Sequence, residues 1–388
     1  MPKLAQDYYK YDRYSQGYSY QQQPTVYTYP LREQKRMPQK VRRKRNPLRM
    51  FISCLIVVLV CMTFMPYSYN IIHKSIFNPT PYKNLVTDLH ELVYPSSDYL
   101  ANNLFLGENS FHYEADPKHA QMLTLKENVN MPSLESEILN LMEQYPDVKP
   151  SVYVWDYETG NYTDINASAI FPAASIIKIP VLIDLFKSIE IGAIDLNEKM
   201  PLTEYYRTEG SGDLQFMAQN SMWTIDTLAR IMITNSDNSA TNMLISKLGG
   251  MTEVNQSIRD WGIKNTEIHT WLPDLGGSNY STTKEMARML YNIDSNEKFL
   301  TEASRQKIFE YMGHVHNDRL IQAGLGKGSI FYHKTGDIGT MLGDAGIVVT
   351  PKGNKYIIAI FAKRPHNSVH GKEFIVKASE IIYNYMVR

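Results

Sequence analysis

The sequence predicts an α/β (α+β) domain in which a single sheet is built from both ends of the domain and carries an inserted all-helical lobe, preceded by one transmembrane helix. Two observations after residue 132 predict the domain: strand-like runs lie near its beginning and its end, and helical periodicity dominates the stretch between them. A third observation, an uncharged apolar run at residues 50–65, predicts the membrane helix.

The apolar run directly follows a strongly basic segment. Nine lysines and arginines lie between positions 32 and 49, against one acidic residue, Glu33. A basic cluster on this side favours an uncleaved anchor whose N-terminal side is cytoplasmic. A buried core helix or a cleaved signal peptide are the alternatives, but the leader is long for a signal peptide and no small-residue cleavage site follows closely. We therefore expect a transmembrane anchor at residues 48–67, with the residues that follow it outside the cytoplasm.

Composition divides the remainder into three segments. Residues 1–47 have eight tyrosines in their first 31 positions and then the basic cluster, which predicts a disordered, Tyr/Gln-rich and basic cytoplasmic tail. Residues 68–131 are expected to form a linker or a small subdomain. Residues 132–388 have the texture of a globular domain, and they contain no repeat of recognisable period.

Charge and cysteine content exclude several classes of function. Lys+Arg and Asp+Glu number 40 each, so no overall positive field would attract nucleic acid. Both cysteines, Cys54 and Cys61, lie in the apolar run, which leaves the outer region without a cysteine nucleophile. The ten histidines form no ligand set of familiar spacing. We expect no metal and no other cofactor.

The elements of the globular domain follow from periodicity, caps and turn residues. The predicted helices are near 134–142, from about 175, and over 225–233, 240–248 and 373–386, and the predicted strands are 151–157, 162–165, 328–333, 344–349 and 355–362.

Three short strings in a fixed order carry the chemistry of the chain. Ser-Asp-Asn at 236–238 and Lys-Thr-Gly at 334–336 occur once each. Ser-x-x-Lys occurs four times, beginning at Ser175, Ser281, Ser295 and Ser304, and only the copy at Ser175 opens a helix that is apolar on most sides. The set forms a serine-hydrolase constellation that uses no catalytic histidine. No Gly-x-Ser-x-Gly occurs, which disfavours a Ser-His-Asp hydrolase.

The first two strings supply a nucleophile and proton-transfer groups. Ser175 and Lys178 share a helix face, and burial lowers the pKa of a lysine so that it can act as a base. Ser236 is a candidate proton shuttle to the leaving nitrogen. Asn238 is a candidate hydrogen-bond partner of Lys178 or of the substrate amide. Taken singly, the two strings could also be a helix cap and an ordinary Asp/Asn turn.

The third string supplies a binding edge at the end of a strand. Lys334 offers positive charge, Thr335 offers a hydroxyl to a carboxylate, and Gly336 lets a substrate backbone lie alongside. Taken singly, it could be a plain strand-terminal turn.

Residues 132–388 resemble the class A β-lactamase family and its relatives among the penicillin-recognising serine enzymes. Beyond the three strings, the resemblance is carried by FPAAS at 171–175, GSGDL at 210–214, SDNSATNML at 236–244, NYSTTKEMA at 279–287 and DAGI at 344–347. It implies the β-lactamase/transpeptidase-like sandwich fold. It also implies Ser175 as the acylated nucleophile, Lys178 as base or proton relay, and Ser236 and Asn238 as its assistants.

The resemblance further implies a substrate-binding set on the third string. Lys334 and Thr335 would hold a substrate carboxylate beside Gly336. The backbone N–H groups of Ser175 and Asp337 would form the oxyanion hole. With the apolar run, the resemblance predicts a single-pass protein of the bacterial cell membrane.

The chain departs from the family where a loop glutamate activates the deacylating water. By the Trp-x-Pro-x-Leu pattern at 271–275, Leu272 takes the place of that glutamate and Gly276 that of its asparagine helper. Asp274 or Glu267 could substitute if the loop ran differently. General-base steps contribute about 10²–10⁴-fold, so we expect the acyl-enzyme to persist.

Three functions remain open on the sequence. The first is an outward-facing serine hydrolase acylated by β-lactams or related amides. The second is a D,D-peptidase acting on peptidoglycan-type peptides through the same nucleophile. The third is a non-hydrolytic sensor that reports a bound ligand to the Tyr-rich tail. No protein partner can be named.

Overall fold

The computed structural model describes residues 120–388; the predictions for 1–47, 48–67 and most of 68–131 lie outside that part of the chain. Its helices are α1 (Pro132–Glu143), α2 (Lys178–Glu190), α3 (Ile225–Thr234), α4 (Asn238–Lys247), α5 (Met251–Asp260), α6 (Thr283–Ser295), α7 (Glu302–Met312) and α8 (His370–Met386). Its strands are β1 (Lys149–Asp156), β2 (Tyr162–Ile165), β3 (Phe171–Pro172), β4 (Lys199–Pro201), β5 (Met222–Thr224), β6 (Tyr280–Ser281), β7 (Ile330–Asp337), β8 (Met341–Val349) and β9 (Lys355–Lys363).

Five strands form one antiparallel sheet in the order β2-β1-β9-β8-β7. The N-terminal hairpin joins the last three strands because β1 pairs with β9 along its whole length, from Lys149 opposite Lys363 to Asp156 opposite Tyr356. This order confirms the prediction of a sheet built from both ends of the domain. The sequence did not reveal two further sheets of two short strands, β3 with β6 and β4 with β5.

The sheet separates two apolar cores. On one face, α1 and α8 pack over residues such as Val154 and Ile358, with Leu134 and Phe374 fully buried between them. The other face packs against the helical lobe. At the centre of that lobe, every residue of α2 from Lys178 to Ser188 is buried, as the apolar run predicted.

The third string lies at the end of a strand, as predicted, but the strand reaches further than the predicted run. The predicted strand 328–333 is in fact β7, which continues through Lys334 to Asp337. The extension forms because Lys334 to Asp337 pair with Ala345 back to Leu342 in a tight hairpin with β8. Alternation of apolar residues could not indicate this, since functional residues occupy those positions.

The segment ahead of α1 is tied to the domain by hydrogen bonds. The side chain of Asn292 binds both the N–H and the carbonyl of Leu123 at 2.8 and 2.9 Å. The hydroxyl of Tyr153 donates to Glu127 at 2.6 Å. Across residues 120–388, no helix has both the length and the apolar character needed to cross a bilayer.

Candidate active site

Ser175 lies in a 3₁₀ turn, Ala174–Ile177, immediately ahead of α2. In this turn the N–H of Lys178 donates to the carbonyl of Ser175, three residues back, which is the 3₁₀ pattern. The regular α-helix therefore starts at Lys178 and not near Ser175, where it was predicted. Ala174 takes a left-handed conformation (φ +46°), which turns the chain from β3 into this tight turn. Ser175 and Lys178 remain neighbours, as predicted.

The turn and β7 approach each other at a glycine. A Cβ on Gly336 would lie 3.0 Å from the Cβ of Ala174, 3.0 Å from Cγ1 of Ile176 and 3.1 Å from the carbonyl oxygen of Ala173. Any side chain here would push the strand away from the turn. Gly336 therefore serves a close approach of two backbones, which brings the backbone of Asp337 to the cleft that Ser175 lines.

Lys178 is fully buried and contacts three other residues of the first two strings. Its Nζ lies 3.1 Å from Oγ of Ser175, 3.1 Å from Oγ and 2.6 Å from the carbonyl oxygen of Ser236, and 3.0 Å from Oδ1 of Asn238. Burial lowers the pKa of Lys178 well below its ordinary value, the charge of Lys334 lowers it further, and Asp237 opposes the shift. Its amine is therefore found without its proton more readily than the amine of an exposed lysine, as a base requires.

The Ser-Asp-Asn string forms the predicted turn between helices, α3 and α4. Ser236 has a left-handed backbone (φ +57°), which directs the chain into the turn. Asp237 caps α4 by accepting from the N–H of Ala240 at 2.8 Å, and it also accepts from the N–H of Leu214 at 2.9 Å. Asn238 is already the first residue of α4. Asp237 thus holds the turn, while Ser236 and Asn238 face Lys178.

Lys334 is a second buried cation beside the same hydroxyl. Its Nζ donates to Oγ of Ser236 at 3.1 Å and to the carbonyl of Thr335 at 2.8 Å. Burial lowers the pKa of Lys334 to about 7, although the negative charge of Asp344 raises it. The Ser236 hydroxyl therefore lies between the amines of Lys178 and Lys334, an arrangement suited to passing a proton.

These groups border one open cleft of about 390 Å³. Six of the eight predicted site residues line it, namely Ser175, Ser236, Lys334, Thr335, Gly336 and Asp337, and the other two, Lys178 and Asn238, lie behind Ser175 and Ser236. The carboxylate of Asp337 is occupied by other partners: it accepts hydrogen bonds from Arg364 and from the N–H of Gly339, both at 2.8 Å. The predicted role of Asp337 therefore falls to its backbone N–H.

The loop at Leu272 carries no carboxylate toward Lys178. Leu272 is buried, and Asn242 clamps its backbone: Nδ2 donates to the Leu272 carbonyl at 2.8 Å and Oδ1 accepts its N–H at 3.0 Å. The following residue, Pro273, lies against Gly210. The four groups within hydrogen-bonding distance of Lys178 Nζ described above are hydroxyl, carbonyl and amide oxygens.

The two carboxylates that could have substituted are engaged elsewhere. Asp274 closes its own loop by accepting from the N–H groups of Ser278 and Asn279 at 2.9 and 2.6 Å. Glu267 accepts from the hydroxyl of Tyr280 at 2.7 Å and lies 3.3 Å from His269. Neither lines the cleft that Ser175 borders.

The sequence did not predict two walls of the cleft. Residues 211–213 form one wall, and residues 315–317, whose His316 N–H donates to the Thr234 carbonyl at 3.0 Å, form part of another. The GSGDL string, which includes the first wall, was noted only as part of the family resemblance and not as a wall of the cleft. Nothing in the composition of 315–317 distinguishes it from an ordinary loop.

A family model described as the beta-lactamase enzyme family matches residues 133–386. The chain belongs to this family. It is similar to Beta-lactamase ROB-1 of Haemophilus influenzae, with 27% identity over 59% of this chain and 75% of that protein. A beta-lactamase of Bacteroides uniformis is 25% identical over 66% of this chain and 92% of its own length.

Solved structures place this beta-lactamase family member among proteins of the same fold. The structure of PBP-A is 35% identical over 68% of this chain and 98% of its own, with a TM-score of 0.66. A leucine-to-glutamate mutant of PBP-A, an acyl-enzyme complex with penicillin G, has a TM-score of 0.65 over 67% of this chain and 98% of its own at 35% identity. An ancestral class A beta-lactamase shares the fold at 21% identity, with a TM-score of 0.61 over 65% of this chain and 99% of its own. The predicted α/β beta-lactamase-like fold and the serine hydrolase class are thereby confirmed.

Proposed function

We propose that this protein is a membrane-anchored serine hydrolase that is acylated at Ser175 by β-lactams or related amides and releases the acyl group slowly. The observation that carries the proposal is the fully buried amine of Lys178, 3.1 Å from Oγ of Ser175. Slow release is inferred from the buried leucine at position 272, where the family resemblance calls for a glutamate. The names of the similar proteins, beta-lactamases and a PBP-A complex with penicillin G, support β-lactams as ligands.

Acylation uses groups that are already in contact. Lys178 takes the proton of Ser175 as Oγ attacks the amide carbonyl. The oxyanion that forms is stabilised by the backbone N–H groups of Ser175 and Asp337. As the C–N bond breaks, Ser236 gives its proton to the leaving nitrogen and is reprotonated from Lys178, 3.1 Å away. The product of this half-reaction is an ester on Ser175.

Lys334, the second buried cation, would bind an anionic substrate. Lys334 and the hydroxyl of Thr335 would hold the substrate carboxylate, with Gly336 giving room for the backbone beside it. Because Lys334 also donates to Ser236, bound carboxylate and leaving nitrogen would lie close to the same hydroxyl. Peptidoglycan-type amides that end in a carboxylate fit the same requirement.

Deacylation lacks a general base. A water that attacks the ester must lose a proton, and the place of the family's glutamate is taken by the apolar side chain of Leu272. Asp274 and Glu267 are held by other partners. Loss of one positioned base slows such a step by about 10²–10⁴-fold.

Two β-lactam probes test this function on the purified full chain. With a fluorescent penicillin we expect a covalent adduct at one site per molecule, and with a chromogenic cephalosporin a burst of about one turnover followed by a slow phase. Fast continuous turnover would contradict slow deacylation. A folded protein with neither adduct nor turnover would remove β-lactams as ligands.

The location of the protein is proposed from the sequence alone. The apolar run within 48–67 and the basic cluster before it support a single-pass bacterial membrane protein with a cytoplasmic N-terminus. The full chain should sediment with membranes and its hydrolase domain should be cleaved by protease added outside spheroplasts. A protein recovered in the supernatant without detergent or cleavage would contradict the anchor.

Acylation by penicillin G should fall as the pH rises through about 7. Lys334 is charged below its pKa of about 7 and neutral above it, so its hold on the substrate carboxylate is lost on the alkaline side. Lys178 acts in the opposite direction, since its lowered pKa lets it serve as a base as its proton leaves. The check is the second-order rate constant of acylation from pH 5.5 to 9.5.

The Lys334→Arg variant is the matched control for this profile. A guanidinium stays charged throughout the range, so the decline above pH 7 should disappear even if the maximal rate is lower. Circular dichroism at each pH separates unfolding from titration. A decline that persists unchanged in Lys334→Arg would show that another group titrates.

A further inference from the structure

We propose that Asp213 forms a cation subsite on the leaving-group side of the cleft, so that amides whose leaving-group portion carries a positive charge acylate this protein preferentially. The inference rests on the proposed function, because it concerns the same cleft and acylation at Ser175. It adds a charge preference that the three strings do not predict.

Asp213 and Asp337 are both exposed in this cleft, and Asp213 is the one that is not paired with an arginine. Among the described residues that line the cleft, the acidic ones are Asp213 and Asp337. Asp337 is committed to Arg364, whose guanidinium is 2.8 Å away. Asp213 is solvent-exposed, and its Oδ2 accepts from Nδ2 of Asn235 over a long 3.4 Å. A ligand cation could therefore approach it without displacing a strong ion pair.

The position of Ser236 shows which part of a substrate faces Asp213. Ser236 delivers the proton to the leaving nitrogen, so the leaving group lies on its side of the nucleophile. The cleft extends from Ser175 past Ser236 to Asn235, the residue that hydrogen-bonds Asp213. Leu272 and Asn238 do not line this cleft. Asp213 is thus placed toward the leaving group and away from the acyl side chain.

The wall that carries Asp213 is preorganised. Its backbone is fixed to the Ser-Asp-Asn turn because the Ser211 carbonyl accepts from the N–H of Asn238 at 3.0 Å and the N–H of Leu214 donates to Asp237 at 2.9 Å. Gln215 adds a clamp by donating to the Gly212 carbonyl at 2.7 Å. A carboxylate on a fixed loop loses little freedom when it pairs with a ligand.

Lys334 and Asp213 together define the charge pattern of the preferred substrate. Lys334 takes the carboxylate at the acylation centre, and Asp213 takes a cation further along the leaving group. Because Asp213 is exposed, water and salt screen its effect, and a change of about three- to five-fold is the size expected for one such ion pair.

Two cephalosporins test the subsite on the purified full chain. Cephaloridine and cephalothin share the same acyl side chain, and their C3 substituents, on the leaving-group portion, end in a pyridinium cation and a neutral acetoxy group. We expect the ratio of their second-order acylation rate constants, cephaloridine over cephalothin, to fall about three- to five-fold in Asp213→Asn at low ionic strength. Differences in intrinsic reactivity cancel when the ratios of two variants are compared.

Two controls identify the charge and the side of the cleft. Asp318→Asn removes the same charge from an exposed residue that does not line the cleft, and it should leave the ratio unchanged. Ampicillin and penicillin G differ by an ammonium group on the acyl side, so the ratio of their acylation rate constants should not change in Asp213→Asn.

A cephalosporin ratio that is the same in Asp213→Asn and in the original chain would overturn the subsite alone. A changed ampicillin ratio would overturn its assignment to the leaving-group side. Failure of all four compounds to acylate the unaltered chain would overturn the proposed function and the subsite with it.

Discussion

Replacing Ser175 by alanine should abolish covalent labelling of the full chain by a fluorescent penicillin. The nucleophilic oxygen is the only part removed, so Lys178, Ser236 and Lys334 keep the positions they hold around it. We expect no adduct after an incubation that labels the unaltered chain completely. Gel fluorescence gives the labelling, and intact-protein mass spectrometry gives the mass of the adduct.

The other copies of Ser-x-x-Lys provide controls within the same molecule. Burial lowers the pKa of Lys284, but its pairing with Glu127 and Asp164 outweighs burial and leaves the pKa raised, so it cannot act as a base for Ser281. Ser295 is exposed and donates to Asp294 at 2.8 Å. Ser295→Ala should therefore label as fully as the unaltered chain. Labelling that survives in Ser175→Ala, or is lost in Ser295→Ala, would show that the nucleophile lies elsewhere.

Replacing Leu272 by glutamate should accelerate deacylation by about 10²-fold, the lower end of what a positioned general base contributes. The two side chains have similar length, and Asn242 holds the backbone at this position from both its N–H and its carbonyl. A carboxylate placed there can take a proton from the water that attacks the ester. Loss of fluorescent penicillin from pre-labelled protein, followed over time, measures the rate directly.

Leu272→Gln is the matched control for this gain. Glutamine has the shape of glutamate but cannot accept the water's proton as a carboxylate does, so its acyl-enzyme should persist as in the unaltered chain. Both variants bury a polar group and should lower the melting temperature. Equal deacylation by the glutamate and glutamine variants would mean that space or polarity, and not a base, limits the step.

The sequence predicted an element correctly where a single residue pattern, such as apolar spacing or a cap, determines that element. Apolar spacing predicted α1, α2 and α8, and the cap Thr224 predicted the start of α3, where its hydroxyl accepts from the N–H of Thr227. The end of β7 could not be predicted in this way, because pairing with β8 holds the strand and its residues there are polar. The start of α2 was misplaced by three residues, since a 3₁₀ turn and an α-helix share the same sequence preferences over one turn.

The residue types of the candidate site were predictable from the sequence, but the shape of the cleft was not. The three strings named the groups that meet around Ser236, and the structure links them by 3.1 Å contacts from Ser175 to Lys178, from Lys178 to Ser236 and from Ser236 to Lys334. The cleft walls depend on loops that are fixed by backbone hydrogen bonds, such as His316 to Thr234. Such contacts link positions far apart in the chain, and no local pattern records them.

The place of β7 at the end of its sheet affects solubility as well as reactivity. An end strand has unpaired backbone groups and can template pairing with a strand from another molecule. A proline or an inward-facing charge on β7 would prevent such pairing. Either would also prevent an extended amide substrate from lying along the strand. Here crowding limits access, since the 3₁₀ turn lies against Gly336 at one end and a Cβ on Gly313 would lie 3.2 Å from the ring of Tyr332 near the other. We expect only a short peptide-like segment to fit along the strand between them, and by the same reasoning we expect little pairing with a strand of another molecule.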